Sequence, residues 1–280
     1  MLSTGDANRM LRNDPSSASA MHDAYFDADV REAARRFTQS AEFAATLRWL
    51  QPHRPVCGAA VIDLGAGNGI ASLAFATSGA RKVIAVEPSS DVDFGYPAIA
   101  GACIGHPVAL VSAVGEALPI RDATVDIVYA RQMLHHASDL NQLLREVGRV
   151  LRPGGIFLGV REHVVASDEE RRQFLARHPV HRLAGGENAF RLDEYTGAIR
   201  AAGLVIRRIA GPGDTIINAY PTFRTEAELH AGWVISLERR IGPAARLVAR
   251  IPAGIAALRT FLPHAGNGAL YAFLAMKPRR

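Results

Sequence analysis

The stretch Val61-Ile62-Asp63-Leu64-Gly65-Ala66-Gly67-Asn68-Gly69 decides the fold. Its first four residues suit a buried strand, three glycines follow at alternate positions, and Ile70-Ala71-Ser72-Leu73-Ala74-Phe75-Ala76 begins a helix. A strand turning sharply into a helix gathers free backbone N–H groups and close-approach glycines at one spot. That arrangement suits the polar part of a nucleotide-like ligand.

Downstream of the turn, short apolar runs alternate with helical patterns. Strands are expected over Ala59–Leu64, Lys82–Glu87, Val108–Ser112, Val125–Ala130 and Ile156–Arg161. They lack polar alternation, as strands buried on both faces of a parallel sheet do. Before the fifth, Leu140, Leu143, Leu144, Val147, Val150 and Leu151 form one helical stripe, with Asp139 and Gln142 as a capping box and Pro153-Gly154-Gly155 beyond its end. Alternating strands and helices predict an α/β doubly wound sheet.

Further along, Asp168–Arg177 reads as a charged helix, His178–Asn188 as a loop, Asp193–Ala202 as a helix and Leu204–Ile209 as strand six. Helices are predicted over Glu226–Arg240 and Ala244–Leu262, and a closing strand over Ala269–Met276. The connection between the last two strands is too long for a loop and is read as a helical insertion at about 211–266. Upstream, Met1 to about Ser19 reads as loosely attached and His22–Leu50 as helical, stopped by Gln51-Pro52-His53-Arg54-Pro55. Residues 1–55 are thus a flexible N-terminus and helical cap, and 56–280 the main domain. Tyr25, Phe26 and Phe37 are read chiefly as helix packing, with lining of a substrate mouth as the alternative.

Three features fall at the carboxyl ends of consecutive strands, where open α/β sheets bind ligands: the glycine turn, Glu87, and the loop Val114-Gly115-Glu116-Ala117-Leu118-Pro119. An acid at the end of strand two accepts hydrogen bonds from both hydroxyls of a ribose. A dinucleotide fingerprint would place its third glycine three residues after Gly67, where Ile70 stands, so the spacing argues against NAD.

Together with Asp126-Ile127-Val128, Leu134-His135-His136 and Leu144-Arg145-Glu146-Val147-Gly148-Arg149-Val150-Leu151-Arg152-Pro153-Gly154-Gly155, these features resemble the class I S-adenosylmethionine-dependent methyltransferases, over about Val56–Arg161. The resemblance implies a Rossmann-like seven-stranded sheet, mostly parallel with an antiparallel last strand. It also implies S-adenosyl-L-methionine as cofactor. Gly65 and Gly67 would admit the methionine part, Asp63 would orient its amino-acid end, and Glu87 would bind the ribose. Ala66, Gly115, Glu116 and Arg131 complete the expected cofactor set. Val114 stands where the group often carries an acid for the adenine amino group, and the backbone of Gly115 and Glu116 is expected to substitute. Arg131 also reads as a partner for an acidic substrate or as an ordinary surface arginine.

Methyl transfer requires alignment, exclusion of water and, for a protonated acceptor, a base. His135, His136 and His163 are the candidate bases, each just beyond a strand end. His178 and His181, with Glu162, His163 and Glu187 near in sequence, invite a metal reading. Pro179 disfavours the helix that would aim both rings one way, so no metal is expected. Gly185-Gly186-Glu187-Asn188 reads as a tight turn over the cleft.

Composition narrows the partners. The chain has 280 residues and a net charge of +5. Residues 1–210 carry 23 basic and 23 acidic side chains, and 211–280 carry nine and four. A neutral core gives no nucleic-acid footprint and favours a small-molecule acceptor, methylated on oxygen or nitrogen. The basic end supplies the alternative of a macromolecular or lipid acceptor. A non-catalytic cofactor-binding protein of the same fold is the other alternative. Cys57 and Cys103 show no pairing or metal spacing, no apolar leader is visible and no stretch is long enough to span a membrane, so a cytoplasmic setting is the default expectation. The apolar helices after Glu226 offer a surface for a homodimer.

Overall fold

The computed structural model describes residues 1–242 and 268–279. Its centre is β1 (Ala60–Leu64), every residue of which is buried. β1 pairs in parallel with β2 (Lys82–Val86) on one side and β4 (Val125–Arg131) on the other. β3 (Val108–Val111) lies outside β2, and β5 (Leu151–Val165) lies outside β4. β8 (Ala269–Met276) runs antiparallel between β5 and β7 (Val205–Ala210), giving the order β3-β2-β1-β4-β5-β8-β7. This is the mostly parallel Rossmann-like sheet with an antiparallel last strand. One short addition, β6 (Phe190–Arg191), pairs with the end of β5.

Each face of the sheet carries a hydrophobic layer, which is why its central strands are largely apolar, while the edge strand β7 carries Arg207 and Arg208 on exposed positions. On one face lie α3 (Val30–Thr38), α4 (Ala41–Leu50) and α5 (Ile70–Thr77), with Phe37, Phe43, Phe75 and Tyr129 in one aromatic chain. On the other lie α7 (Leu140–Val150) and α10 (Leu192–Ala201). The Asp139 carboxylate caps α7 by accepting from the Gln142 N–H at 2.9 Å, while the Gln142 side chain donates instead to the Glu116 carbonyl.

The N-terminus departs from expectation. Thr4–Asn13 forms α1, capped by Ser3, where loosely attached chain was expected, and Ala18–Asp23 forms α2. Arg9 pairs with Asp91 at 3.0 Å, Arg12 pairs with Asp93 at 3.1 Å, and the Leu2 N–H donates to the Leu183 carbonyl. α1 is therefore held at both ends. A Cβ on Gly5 would lie 2.0 Å from the Asp91 carboxylate, so a larger residue there would push that side chain from its place beside Arg9.

Between β7 and β8 lie α11 (Ile216–Ala219) and α12 (Glu226–Ile241). The helix expected over Ala244–Leu262 lies outside the described residues, and with it much of the surface expected to form a homodimer. Among the described residues, no helix is long and apolar enough to cross a membrane.

Candidate functional site

The order of strands reverses at β1, which has β2 on one side and β4 on the other, and a cavity of about 910 Å³ opens there. The register sets Leu64 level with Val86 and Ala130, so Gly65, Glu87 and Arg131 follow at one height. Asp63, Gly65, Ala66, Gly67, Glu87, Val114, Gly115, Glu116, Arg131, His135, His136 and His163 all line the cavity. The expected site residues are thus brought together, although several do different work from that expected.

The glycine turn is one correction. Gly65, Gly67 and Gly69 adopt φ of +69°, +56° and +84°, conformations natural to glycine. Its leading N–H groups, however, are not free: those of Gly65 and Ala66 donate to the Val86 carbonyl, and that of Gly67 donates to Glu87 Oε2 at 2.9 Å. The turn offers close approach rather than unsatisfied donors. A Cβ on Gly67 would meet nothing within 4 Å, whereas one on Gly65 would lie 2.2 Å from the Met133 side chain.

Glu87 also accepts from the Ser89 N–H at 3.0 Å. An ionised carboxylate has about four acceptor sites, so two remain for a ligand. Burial raises the Glu87 carboxyl above its usual range, against these two hydrogen bonds. Burial likewise raises Asp63 to about 6, although the Ser72 hydroxyl donates to it at 2.6 Å. Val114 is exposed. Glu116 turns away, its carboxylate accepting from the Ser138 N–H at 2.8 Å.

Arg131 is not a surface residue. Its Nε and Nη2 donate to the fully buried Glu42 carboxylate at 2.6 and 3.2 Å, beneath the Tyr25 ring. A guanidinium already neutralised by a bidentate partner is poorly placed to recruit an acidic substrate. Tyr25 and Phe37 are buried packing residues, while Phe26 lines the cavity.

The far end is built by an irregularity in β5. Its pairing with β8 shifts between Gly159 and Glu162, where Arg161 has φ +60°. Such bulges re-aim side chains. Glu162 is fully buried and accepts from the Met133 and Leu134 N–H groups and from His135 Nδ1 at 2.9 Å. Burial would raise the Glu162 carboxyl, but His135 and the two amides hold it below the usual range. On its other side, His135 Nε2 lies 3.4 Å from Glu187 Oε2. Burial opposes charge on His135, yet the two carboxylates outweigh it and raise the imidazole to about 9. With both nitrogens engaged, His135 does not fit the role of base.

His136 stands 3.7 Å from the same Glu187 oxygen, and burial followed by the charge of His135 lowers its pKa. In His163 the Nδ1–H donates to the Gly268 carbonyl at 2.8 Å, which fixes the tautomer and leaves Nε2 as an acceptor. Burial, then the charge of His135, lowers His163 to about 4, so it is neutral at physiological pH.

Two features were missed from sequence. His178 caps α9 (Pro179–Ala184) where a loop was expected, and it lines the cavity. α1 contributes Ser3, Thr4, Gly5 and Asn8 to the wall, although the Ser3-Thr4-Gly5-Asp6 cap was there to be read. The Gly185–Asn188 turn does reach the cleft, through Glu187.

Residues 62–159 match the family model described as a methyltransferase domain. An uncharacterised methyltransferase of Mycobacterium bovis (strain BCG / Pasteur 1173P2) is 32% identical over 191 residues, covering 67% of each chain. A 27-O-demethylrifamycin SV methyltransferase of Amycolatopsis mediterranei is 30% identical over 194 residues, covering 66% of each. Among solved structures, an S-adenosylmethionine-dependent methyltransferase from Mesorhizobium loti superposes with a TM-score of 0.56 at 18% identity, over 85% of this chain and 99% of that one.

Proposed function

The chain belongs to the class I S-adenosylmethionine-dependent methyltransferases, and on that premise we propose that it methylates an oxygen or nitrogen of a small molecule held against His163. One observation carries this reading. A single cavity runs from the glycine turn and Glu87 to the histidines. At about 910 Å³ it lies at the upper end of the range for small-molecule pockets, room for two ligands side by side.

The cofactor end fits its ligand. Gly67 leaves open space where a side chain would stand, and Glu87 has two lone-pair sites to spare. We assign Asp63, Gly65, Ala66, Gly67 and Glu87 to the cofactor, with Glu87 on the ribose hydroxyls. Val114 and Gly115 edge the adenine, and Glu116 serves through its backbone. Arg131 is assigned to positioning: with Glu42 it braces the wall beneath Tyr25.

S-adenosylmethionine supplies a methyl group on an activated sulfonium, so transfer is an in-line displacement. The chain has to align the acceptor, exclude water and take up the acceptor's proton. Nε2 of His163 takes that proton, because Nδ1–H is committed to Gly268. His135, clamped between Glu162 and Glu187, holds the Glu187 turn over the cleft as a positioning residue. Residues 56–280 form the catalytic domain, 1–55 its cap, and the insertion before β8 its flank. The name of the Amycolatopsis relative supports a small acceptor carrying a hydroxyl. The two free cysteines support a reducing, cytoplasmic setting.

Calorimetry with S-adenosylhomocysteine should give one site per chain of micromolar affinity. Incubation of the enzyme with S-adenosylmethionine and a panel of hydroxylated and amino compounds should then yield S-adenosylhomocysteine. Absence of binding in a well-folded preparation overturns the assignment of the site. Turnover only with anionic vesicles or RNA, abolished by salt, moves the acceptor to a lipid or macromolecule.

A further inference from the structure

His135, His136 and Glu187 lie 52 and 51 residues apart in sequence, yet their ligand atoms converge within 4.8 Å of one another. His135 Nε2 and His136 Nδ1 face the same oxygen, Glu187 Oε2, at 3.4 and 3.7 Å. The first is at the outer limit of a hydrogen bond and the second lies beyond it. They match the spacing between ligands on one ion: zinc bonds of about 2.0–2.2 Å at tetrahedral angles set neighbouring donor atoms about 3.3–3.6 Å apart. From this convergence we propose that His135, His136 and Glu187 bind one divalent transition-metal ion, zinc foremost, at the wall of the cavity.

A second feature points the same way. A metal-bound histidine nearly always gives its other ring N–H to a carboxylate or carbonyl, which fixes the ring and strengthens the ligand. His135 does so: Nδ1 lies 2.9 Å from Oε2 of Glu162, and that carboxylate is itself held by the Met133 and Leu134 N–H groups. The ring is thereby fixed with Nε2 toward Glu187 and His136, and a bound ion would replace the proton on that nitrogen. Glu187 is tightly enclosed, its side chain 6% exposed, whereas that of His136 is 43% exposed, and a modest rotation of its ring would close the remaining distance.

Two imidazoles and one carboxylate form a donor set that suits zinc and its neighbours rather than magnesium or calcium. Three protein ligands leave a fourth position open, the pattern of a catalytic rather than a structural zinc. All three residues line the cavity, so a fourth ligand would enter from it. Held by these residues, such an ion would supply Lewis acidity to an acceptor oxygen, easing transfer of its proton to the base. This role, unlike the binding itself, rests on the proposed methyltransferase reading.

The test uses the full chain stripped with chelator, titrated with zinc against a chromophoric competitor and with cobalt followed by its visible bands. One ion per chain and a four- or five-coordinate cobalt spectrum are expected. His136→Ala and Glu187→Gln should each weaken zinc at least tenfold while far-UV circular dichroism is unchanged. His181→Ala, whose ring does not line the cavity, should bind as the parent does. Absence of stoichiometric zinc binding overturns the site, as does binding that survives His136→Ala or is lost in His181→Ala. Binding of S-adenosylhomocysteine, measured without metal, reports separately on the methyltransferase reading.

Discussion

The two ends of the cavity are assembled by different means. At the cofactor end, Asp63, the glycine turn and Glu87 sit on two adjacent parallel strands whose register holds them level. Their positions follow from local sequence and one strand pairing. At the acceptor end, His135 comes from the turn after β4, Glu162 and His163 from beyond a bulge in β5, and Glu187 from the loop after α9. No short stretch contains that arrangement. One end can be conserved in geometry while the other is rebuilt by moving a bulge or a loop, which suits a common cofactor and a variable acceptor.

The largest test of this contrast is His163→Ala. If its Nε2 receives the acceptor's proton, kcat should fall by about 10²- to 10⁴-fold, with S-adenosylhomocysteine affinity unchanged. A fall under tenfold would remove His163 from the role of base. Next comes Glu87→Ala, which acts on the other end. Hydrogen bonds to a charged partner contribute about 1.5–3 kcal/mol, so calorimetry should find the cofactor bound roughly 10- to 100-fold more weakly. If His163→Ala weakens the cofactor as much as Glu87→Ala does, the two ends are not separable.

A smaller effect should appear with pH. Asp63 is held up at about 6 by burial and Glu87 is raised by the same cause, and each holds the cofactor most strongly as the ionised carboxylate. Cofactor affinity should therefore fall about tenfold from pH 7 to pH 5, as one group of pKa about 6 becomes protonated. The same shift enters stability with the opposite sense. The folded pKa lies above the ordinary value of 3.8, so ionising Asp63 favours the unfolded chain, and its contribution to stability declines as pH rises from about 4 to 6. Asp63→Asn should remove most of the pH dependence of cofactor binding. An unaltered profile would assign it to Glu87.

How far sequence reaches follows the same division. α8 (Asp168–Arg177) and β8 (Ala269–Met276) match their expected bounds residue for residue, because apolar runs and caps are local signals. β5 was expected to end at Arg161 but continues to Val165, since a bulge lets pairing resume after an irregular residue. His135 was readable as a histidine at a strand end but not as an ion clamped by two carboxylates. That state depends on Glu162, 27 residues on, and Glu187, 52 residues on.

α1 shows the same limit in a helix, and supplies the smallest expected effect. Ten residues are too few to hold a helix in water without docking. Arg9 and Arg12 supply that docking through Asp91 and Asp93, and the Leu2 N–H supplies it at α9. α1 thus joins the loop after β2, at the cofactor end, to the helix that carries His178, at the acceptor end. The two ion pairs are partly exposed, and such pairs contribute about 0.2–1 kcal/mol each. Arg9→Ala with Arg12→Ala should therefore weaken S-adenosylhomocysteine by at most about two- to thirtyfold, chiefly through faster release, with hydrogen exchange increased over Thr4–Asn13. Faster exchange with unchanged release would show that α1 covers the cavity without retaining its ligand, and the coupling of the two ends would then rest on the sheet.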